Sequence, residues 1–590
     1  MRHLITTADV RTWKFDRPSI FLGEWCRPKK QKHIWQKMDA IVAEPYGLGR
    51  AQRDIDHALA RSMEEEITPI LCGILNKYHG TQHDSIFWQI LLGHWLRRYV
   101  NVIFNRVKTL EYCFQVHPLS GTTVFSNTNY SLAPLDSYAA IWACDDSRWN
   151  NALYLSIISL LGRVNFPIEV IHSDTNIGYR WHAESIELPL KQKILKFAYR
   201  QVGNLIKKLV RENDIFVINS YLPKEKEIAL HLALRQAPQF WISSMLEVTT
   251  EPDKELRKEL SKQALMGSNN SLSDILYLML FELLPVCYLE GFAELTKKVE
   301  RLAWPGSPEI IFTSNNFDTD EVFKLWTALK VTSGSKYVAG QHGSNYGTHR
   351  YIRHTVEEIT SHKFLTWGWK DDLSQHTPAF IFKSVGRGGK ACDPKGGLLL
   401  VEMSLGHRLD IWDTTTEFMV YFEDQKCFIE KLNKNIRKDL TVRLHPASSS
   451  SASLGEEEWT EFDAKIKLDI GLSDISKSIK HSRLVVHSYD STGVLENLSN
   501  NIPTLIFWRN DLDHLRDSAK PYYHLLVDAG ILHLSPESAA IKINEIWEYV
   551  EDWWMQPSIQ EAREKFCDRY AKTSNNSICK LKQILLSTLA

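Results

Sequence analysis

The 590-residue chain has almost no net charge: 70 lysines and arginines stand against 71 aspartates and glutamates, a formal −1. That balance excludes bulk attraction to nucleic acid, so any anionic ligand must be met by a local site. Cysteine is sparse, nine residues without a CxxC pair, which offers no ready zinc or redox motif and fits reduced cytosolic thiols. Long apolar runs are missing too. The strongest, 275–292, is interrupted by Glu282, Pro285 and Glu290 and barely reaches the ~20 residues of a membrane span. It reads as a buried helix and its turn. At the start, Asp9 comes too early and no apolar core follows, which argues against a secretory leader. No internal repeat is present. Asp511-Leu512-Asp513 has the spacing of a metal-binding DxD pair but follows its strand too closely to serve as one.

What is present is an α/β pattern. The length calls for two or three domains, and 44% apolar with 24% charged residues is ordinary for a folded chain. Short apolar runs at 19–26, 40–43, 168–171, 215–220, 309–314, 336–340, 397–402 and 503–508 read as strands. From 54 to about 110 the apolar spacing is helical, as in Ile67, Ile70, Leu71, Ile74 and in Ile86, Ile90, Leu91, Trp95. Helices are also expected at 149–161, around 191–210 and after 541. The stretch 120–136, rich in Ser, Thr and Asn, reads as loop. The glycine-rich segment 385–390 is the expected linker, and the serine-rich 447–453 a loop within the C-terminal half. Strands alternating with helices imply parallel sheets. The expected division is 1–385, with helical insertions, then 386–560, then a terminal helix at 561–590 packing back on the body.

Two strand-to-loop junctions carry the functional signal. One is Thr441-Val442-Arg443-Leu444-His445-Pro446; the other runs from Leu484 through His487, Ser488, Ser491, Thr492 and Gly493 to Glu496. Each reads as a buried parallel strand ending in turn formers, and open α/β sheets bind ligands beyond the carboxyl ends of their strands. A helix opening at Ser491-Thr492-Gly493 offers free N–H groups, two hydroxyls and a positive dipole end, which suits a phosphate. His445 can add a charge or hydrogen bond at the same sheet edge, and Arg443 can neutralise a phosphate or carboxylate. Glu496, one turn on, can accept from ribose hydroxyls. Ordinary roles compete at each position: a turn-capping His fixed by Pro446, an N-cap serine, a first-turn acid, a solvated arginine. A third junction, Gln341-His342-Gly343-Ser344-Asn345-Tyr346, follows another strand, and its glycine permits close backbone approach.

On these residues the chain resembles known enzymes. Ser491-Thr492-Gly493-Val494-Leu495-Glu496 followed by Asn501-Ile502-Pro503-Thr504-Leu505-Ile506 resembles the donor-binding half of GT-B polysaccharide enzymes. With His445-Pro446 it is similar to capsule-type transferases that use CMP-activated Kdo and nonulosonic acids. Over nearly the full length, Leu22-Gly23-Glu24-Trp25-Cys26, Gln341-His342-Gly343 with Tyr346-Gly347, and Thr366-Trp367-Gly368-Trp369 resemble a family of surface-polysaccharide transferases. The resemblance implies an α/β fold of GT-B type, two Rossmann-like domains facing a cleft with a helical insertion in the N-terminal one. It implies a CMP-sugar donor, with a nonulosonic acid such as pseudaminic acid first and Kdo second. His445, Ser491 and Thr492 would contact the CMP phosphate. An oligosaccharide or lipid-linked glycan would be the acceptor on the N-terminal side, with retention of configuration. It also implies a cytoplasmic protein resting on the inner membrane. No nucleic-acid partner, metal or other cofactor is expected, since one phosphate leaves with less help than two. Two other readings stay open: a CDP-glycerol or CDP-ribitol phosphotransferase, and a non-catalytic glycan-binding scaffold of the same fold.

A retaining double displacement wants a carboxylate nucleophile. Where related Kdo enzymes carry an acidic pair before glycine, this chain has Gln341-His342. The acid is therefore sought at Glu24, Glu357 or Glu358, with Asp145-Asp146 explained by an N-cap. His342 is the candidate acid–base group, Gln341, Gly343, Asn345 and Tyr346 line the acceptor side of the cleft, and Arg350 and Arg353 can offset a donor's charge.

Overall fold

The computed structural model describes every residue except 128–129, 163–164, 173–208, 245, 266–270, 353, 387–391, 446–454, 510 and 590. The expectations placed on 191–208, Arg353, most of the glycine-rich linker, Pro446 and the serine-rich loop lie outside the described residues.

Sixteen strands form three sheets among the described residues, and every pairing between them is parallel. The first sheet holds β1 (Arg2–Ile5), β2 (Ser19–Phe21), β3 (Ala40–Val42), β4 (Leu119–Phe125) and β5 (Ile168–Ile171), in the order β3-β2-β1-β4-β5. The second holds β6 (Phe216–Ile218), β7 (Ile310–Thr313), β8 (Lys336–Gly340), β9 (Lys363–Thr366) and β10 (His376–Pro378), laid side by side in chain order. The third holds β11 (Gly397–Val401), β12 (Leu440–Arg443), β13 (Lys467–Asp469), β14 (Ser482–His487), β15 (Thr504–Phe507) and β16 (Leu532–His533), in the order β13-β12-β11-β14-β15-β16. The first and third sheets thus start in the middle and reverse direction, the Rossmann-type winding whose reversal opens a ligand crevice. The second never reverses and has no such crevice of its own. Two Rossmann-like units facing a cleft fit a GT-B arrangement; the middle sheet shares the N-terminal part of the chain with the first.

Two central strands escaped the pattern reading, and the cause is chemical. β4 is rich in Ser, Thr and Gly, so 120–136 read as loop, yet β-branched threonine suits a strand. Its hydroxyls are satisfied inside: Thr122 donates to the Leu4 carbonyl at 2.8 Å, and Thr123 Oγ1 lies 2.9 Å from His3 Nε2. β1 carries that buried histidine, which hid its strand character. The helical stretch divides into α1 (Arg50–His79) and α2 (Ser85–Val116), separated at Gly80, whose φ of 66° ends α1 in the left-handed region. α2 is buried over much of its length and packs against α1 and the helix Glu321–Thr332. The apolar run 275–292 is a buried helix, Ser271–Leu283, and a turn; among the described residues no helix is long and apolar enough to cross a membrane. The last helix, Ser577–Leu586, returns to the middle sheet, where Lys363 Nζ donates to Ser587 Oγ at 2.7 Å.

Candidate functional site

In the third sheet the reversal lies between β11 and β14, and the helix after β14 is α3 (Thr492–Ser499). Ser491 is its N-cap, its hydroxyl accepting from Val494 N–H and lying 3.3 Å from His487 Nδ1. His487 sits beneath the helix start, buried and pushed down to about 4 by desolvation. A side chain at Gly493 would meet its ring at 2.7 Å, so only glycine lets the helix begin over the imidazole. Ser488 is held by Tyr421 Oη at 2.8 Å and donates to Gln425. Arg443 is buried and spends its guanidinium on Asp469 and Ser478 Oγ, tying β12 to β13. Glu496 faces Lys383 at 3.7 Å. His445 ends β12 exposed, two strands from β14 with β11 between them, a lateral separation of about 10 Å at ~4.8 Å per strand. The two junctions therefore share the sheet edge, two strands apart.

The third junction meets the second instead. Ser344 N–H donates to Thr492 Oγ1 at 2.9 Å, and a Cβ on Gly343 would lie 3.2 Å from the same oxygen. This joins the carboxyl edge of the middle sheet to the helix start of the third. Gln341 is the organiser beneath: its Oε1 accepts from Trp367 N–H at 2.9 Å and Trp369 Nε1 at 2.8 Å, while its amide donates to the Gly343 carbonyl at 2.8 Å. The Thr366–Trp369 segment is thus a buried support for this loop. Asn345, at φ 74°, makes the turn, its carbonyl accepting from Thr348 and His349. His342 Nδ1 lies 2.9 Å from Tyr346 Oη, which also donates to Glu357. Burial lowers His342 to about 4 and raises Glu357 to about 7. Behind them burial would raise Asp318, but Arg98 and His94 hold it down at about 2.

The other acids go elsewhere. Glu358 is fully buried, closes a capping box on Thr355 and pairs with His376 at 3.0 Å. Glu24 opens a short 3-10 turn after β2, in a two-pronged bond with Arg27 at 2.7 Å, on the first sheet. Glu24, His342 and Glu358 therefore occupy three separate settings. Asp146 caps the helix Ser147–Leu160, as expected. Asp145 takes His407 at 2.5 Å.

Two cavities lie along the carboxyl edge of the third sheet. The larger, about 840 Å³, is enclosed by loops following β8, β11 and β15 and by α1 and α2. Its α1 and α2 walls carry four arginines, Arg50, Arg53, Arg61 and Arg97, with His57 among them, lowered by burial to about 4 and so neutral. Arg61 and Arg97 share a single carboxylate, Glu64. Burial lowers Arg61 to about 10, so it stays charged at neutral pH. At the mouth, Arg50 pairs with Asp513 at 2.5 Å and Arg53 with Glu417. Arg350, a sequence candidate, bonds the Asp513 carbonyl at 3.1 Å beside this mouth. These arginines escaped the sequence reading because charged positions on a helix look like a solvated face. Positions 50, 53 and 61 fall on one side of α1, and that spacing was the available signal. The smaller cavity, about 330 Å³, lies between the first and third sheets and includes Glu24.

Among the described residues, His354, Asp371 and His376 bring possible metal-ligand atoms within 4.8 Å. The same groups are already engaged, His376 by Glu358 and Asp371, and Asp371 by Arg516 at 3.1 Å. Arg516 comes from the loop after β15, so this network also ties the third sheet to the middle one.

The profile of the LIC12162 family transferases matches residues 2–585, and the chain belongs to that family of transferases. No curated protein matches the sequence. Solved structures with partial likeness include the spinosyn rhamnosyltransferase SpnG complexed with thymidine diphosphate, 11% identical over 50% of this chain and 77% of that one, at a TM-score of 0.30. The glycotransferase of kitacinnamycin is 10% identical over 64% and 98%, TM-score 0.32. WaaG, a glycosyltransferase involved in lipopolysaccharide biosynthesis, is 13% identical over 63% and 99%, TM-score 0.27.

Proposed function

We propose that this member of the LIC12162 transferase family is a glycosyltransferase. It moves a sugar from a nucleotide-activated donor, a CMP-linked acidic sugar of the nonulosonic or Kdo type, to a glycan acceptor. The observation that carries the reading is the larger cavity: it gathers the loops beyond β8, β11 and β15 against four arginines, where an anionic donor fits. Arg61 and Arg97, with one carboxylate between them, hold the positive charge for a phosphate or a sugar carboxylate. His342 is the acid–base group. With Tyr346 donating to Glu357, the Tyr346 oxygen accepts from His342 Nδ1–H, which leaves Nε2 bare to take a proton from an acceptor hydroxyl. Ser491, Thr492 and Gly493 build the junction beside it, Thr492 through its bond to Ser344. Catalysis proceeds without a metal in this reading.

The test incubates the full chain with a panel of CMP-, UDP-, GDP- and dTDP-sugars and follows nucleotide release, with and without EDTA. CMP release from an acidic-sugar donor, unchanged by EDTA, is the expected result. Turnover confined to another nucleotide would overturn the donor assignment, and loss in EDTA the metal-free one.

A further inference from the structure

The smaller cavity has features that a donor site in the larger one leaves unused. It lies where the reversal of the first sheet, at the end of β1, faces the loop after β11. Its acids are already engaged. Glu24 is taken by Arg27, Asp145 by His407 and by the Arg408 backbone N–H at 3.1 Å, and Glu458 accepts from Gly455 N–H at 2.6 Å. Three of its cations form no ion pair among the described residues: Lys29, Lys30 and Lys32 stand within four residues along one wall, Lys29 with its ammonium 4.9 Å over the Phe422 ring.

A second observation points the same way. Thr7, two residues beyond β1, lines the cavity at 2% exposure, and among the described residues its buried hydroxyl has no hydrogen-bond partner. A buried hydroxyl left unpaired is costly unless a ligand completes it. Trp25 and Trp35 supply flat apolar walls, stiffened by Arg408 3.9 Å above the Trp25 ring and Arg27 5.0 Å above that of Trp35. Ammonium groups for charge, a hydroxyl donor and indole faces together suit a phosphorylated sugar.

We infer that this cavity binds a phosphate-bearing ligand separate from the donor nucleotide. Resting on the transfer reading above, that ligand is the acceptor, a glycan carried on a phosphate or diphosphate. The β11 loop borders both cavities, through Arg408 in one and Asp410 in the other, and so lies between the two substrates.

Calorimetric titration of the full chain tests this, with pyrophosphate as the probe in the absence and presence of saturating CMP. Binding that persists beside CMP is expected. A Lys29→Gln/Lys30→Gln/Lys32→Gln variant should weaken it about tenfold or more, as loss of charge-assisted bonds requires, and Thr7→Val should weaken it without touching a charge. CMP affinity should stay unchanged in both variants. Competition between pyrophosphate and CMP, or undiminished pyrophosphate affinity in the lysine variant, overturns the proposal. If CMP binds nowhere, the donor assignment fails while the pyrophosphate titration still decides this cavity. Displacement of pyrophosphate by a prenyl diphosphate marks a lipid-borne acceptor and displacement by glucose 1-phosphate a soluble one; failure of both overturns the acceptor role.

Discussion

The two cavities along the third sheet differ in how their charge is held. In the larger, each arginine already has an anionic partner, and two of the pairs cross from α1 to the loop after β15 and to the helix Thr414–Lys431 after β11. In the smaller, three lysines have none among the described residues, while the neighbouring acids bond to other groups. Paired arginines form a rigid, preorganised fork whose position is set before a ligand arrives. Unpaired lysines are flexible point charges that a ligand must order, at a cost in side-chain entropy. One cavity is therefore built for selective placement of an anion, the other for looser capture.

The largest effect should come from the floor of the first cavity. Arg61→Gln with Arg97→Gln should lower kcat/KM about 100-fold, in line with the ~2–5 kcal/mol lost when one partner of a buried charged pair is removed. Thermal melting of the same variant separates this from misfolding. A fall below threefold in a folded variant would mean that the arginines only support α1 and α2.

An intermediate effect concerns the strand between the cavities. Glu402, at the end of β11, is buried, pushed up by desolvation to about 8, and accepts from Trp459 Nε1 at 3.0 Å. Its folded-state pKa lies above its unfolded value near 4.5, so the folded chain keeps a proton that the unfolded chain releases. The resulting stability is fully present below about pH 4.5 and is lost as pH rises through about 8. Glu402→Gln should flatten this part of the profile in melts from pH 5 to 9. Equal slopes in both proteins would show that Glu402 ionises freely.

The smallest effect belongs to the mouth of the larger cavity. Arg50–Asp513 and Arg53–Glu417 are partly exposed, and a double-mutant cycle on either should give a coupling of only ~0.2–1 kcal/mol. Their consequence should appear in kinetics, as faster ligand release at unchanged stability. A coupling above ~3 kcal/mol would place them among buried pairs instead.

Local chemistry made much of this legible. The helical spacing of 54–110, the strand at β8 and the strand-to-helix turn at Ser491 follow from residue type and periodicity, which depend on near neighbours. The Ser-Thr-rich β4 and the histidine-bearing β1 did not, because the buried His3 and Thr123 side chains satisfy each other across 120 positions of sequence. The site divides in the same way. That His342, Ser491 and Thr492 lie at strand ends was determined by the sequence alone, since turn formers after apolar runs mark those ends. Tertiary structure alone decided that Thr492 meets Ser344, that Arg443 is spent on Asp469, and that Arg50 and Arg53 of α1 face acids more than 350 residues away. Charge on a helix has no inherent partner, and long-range packing selects it.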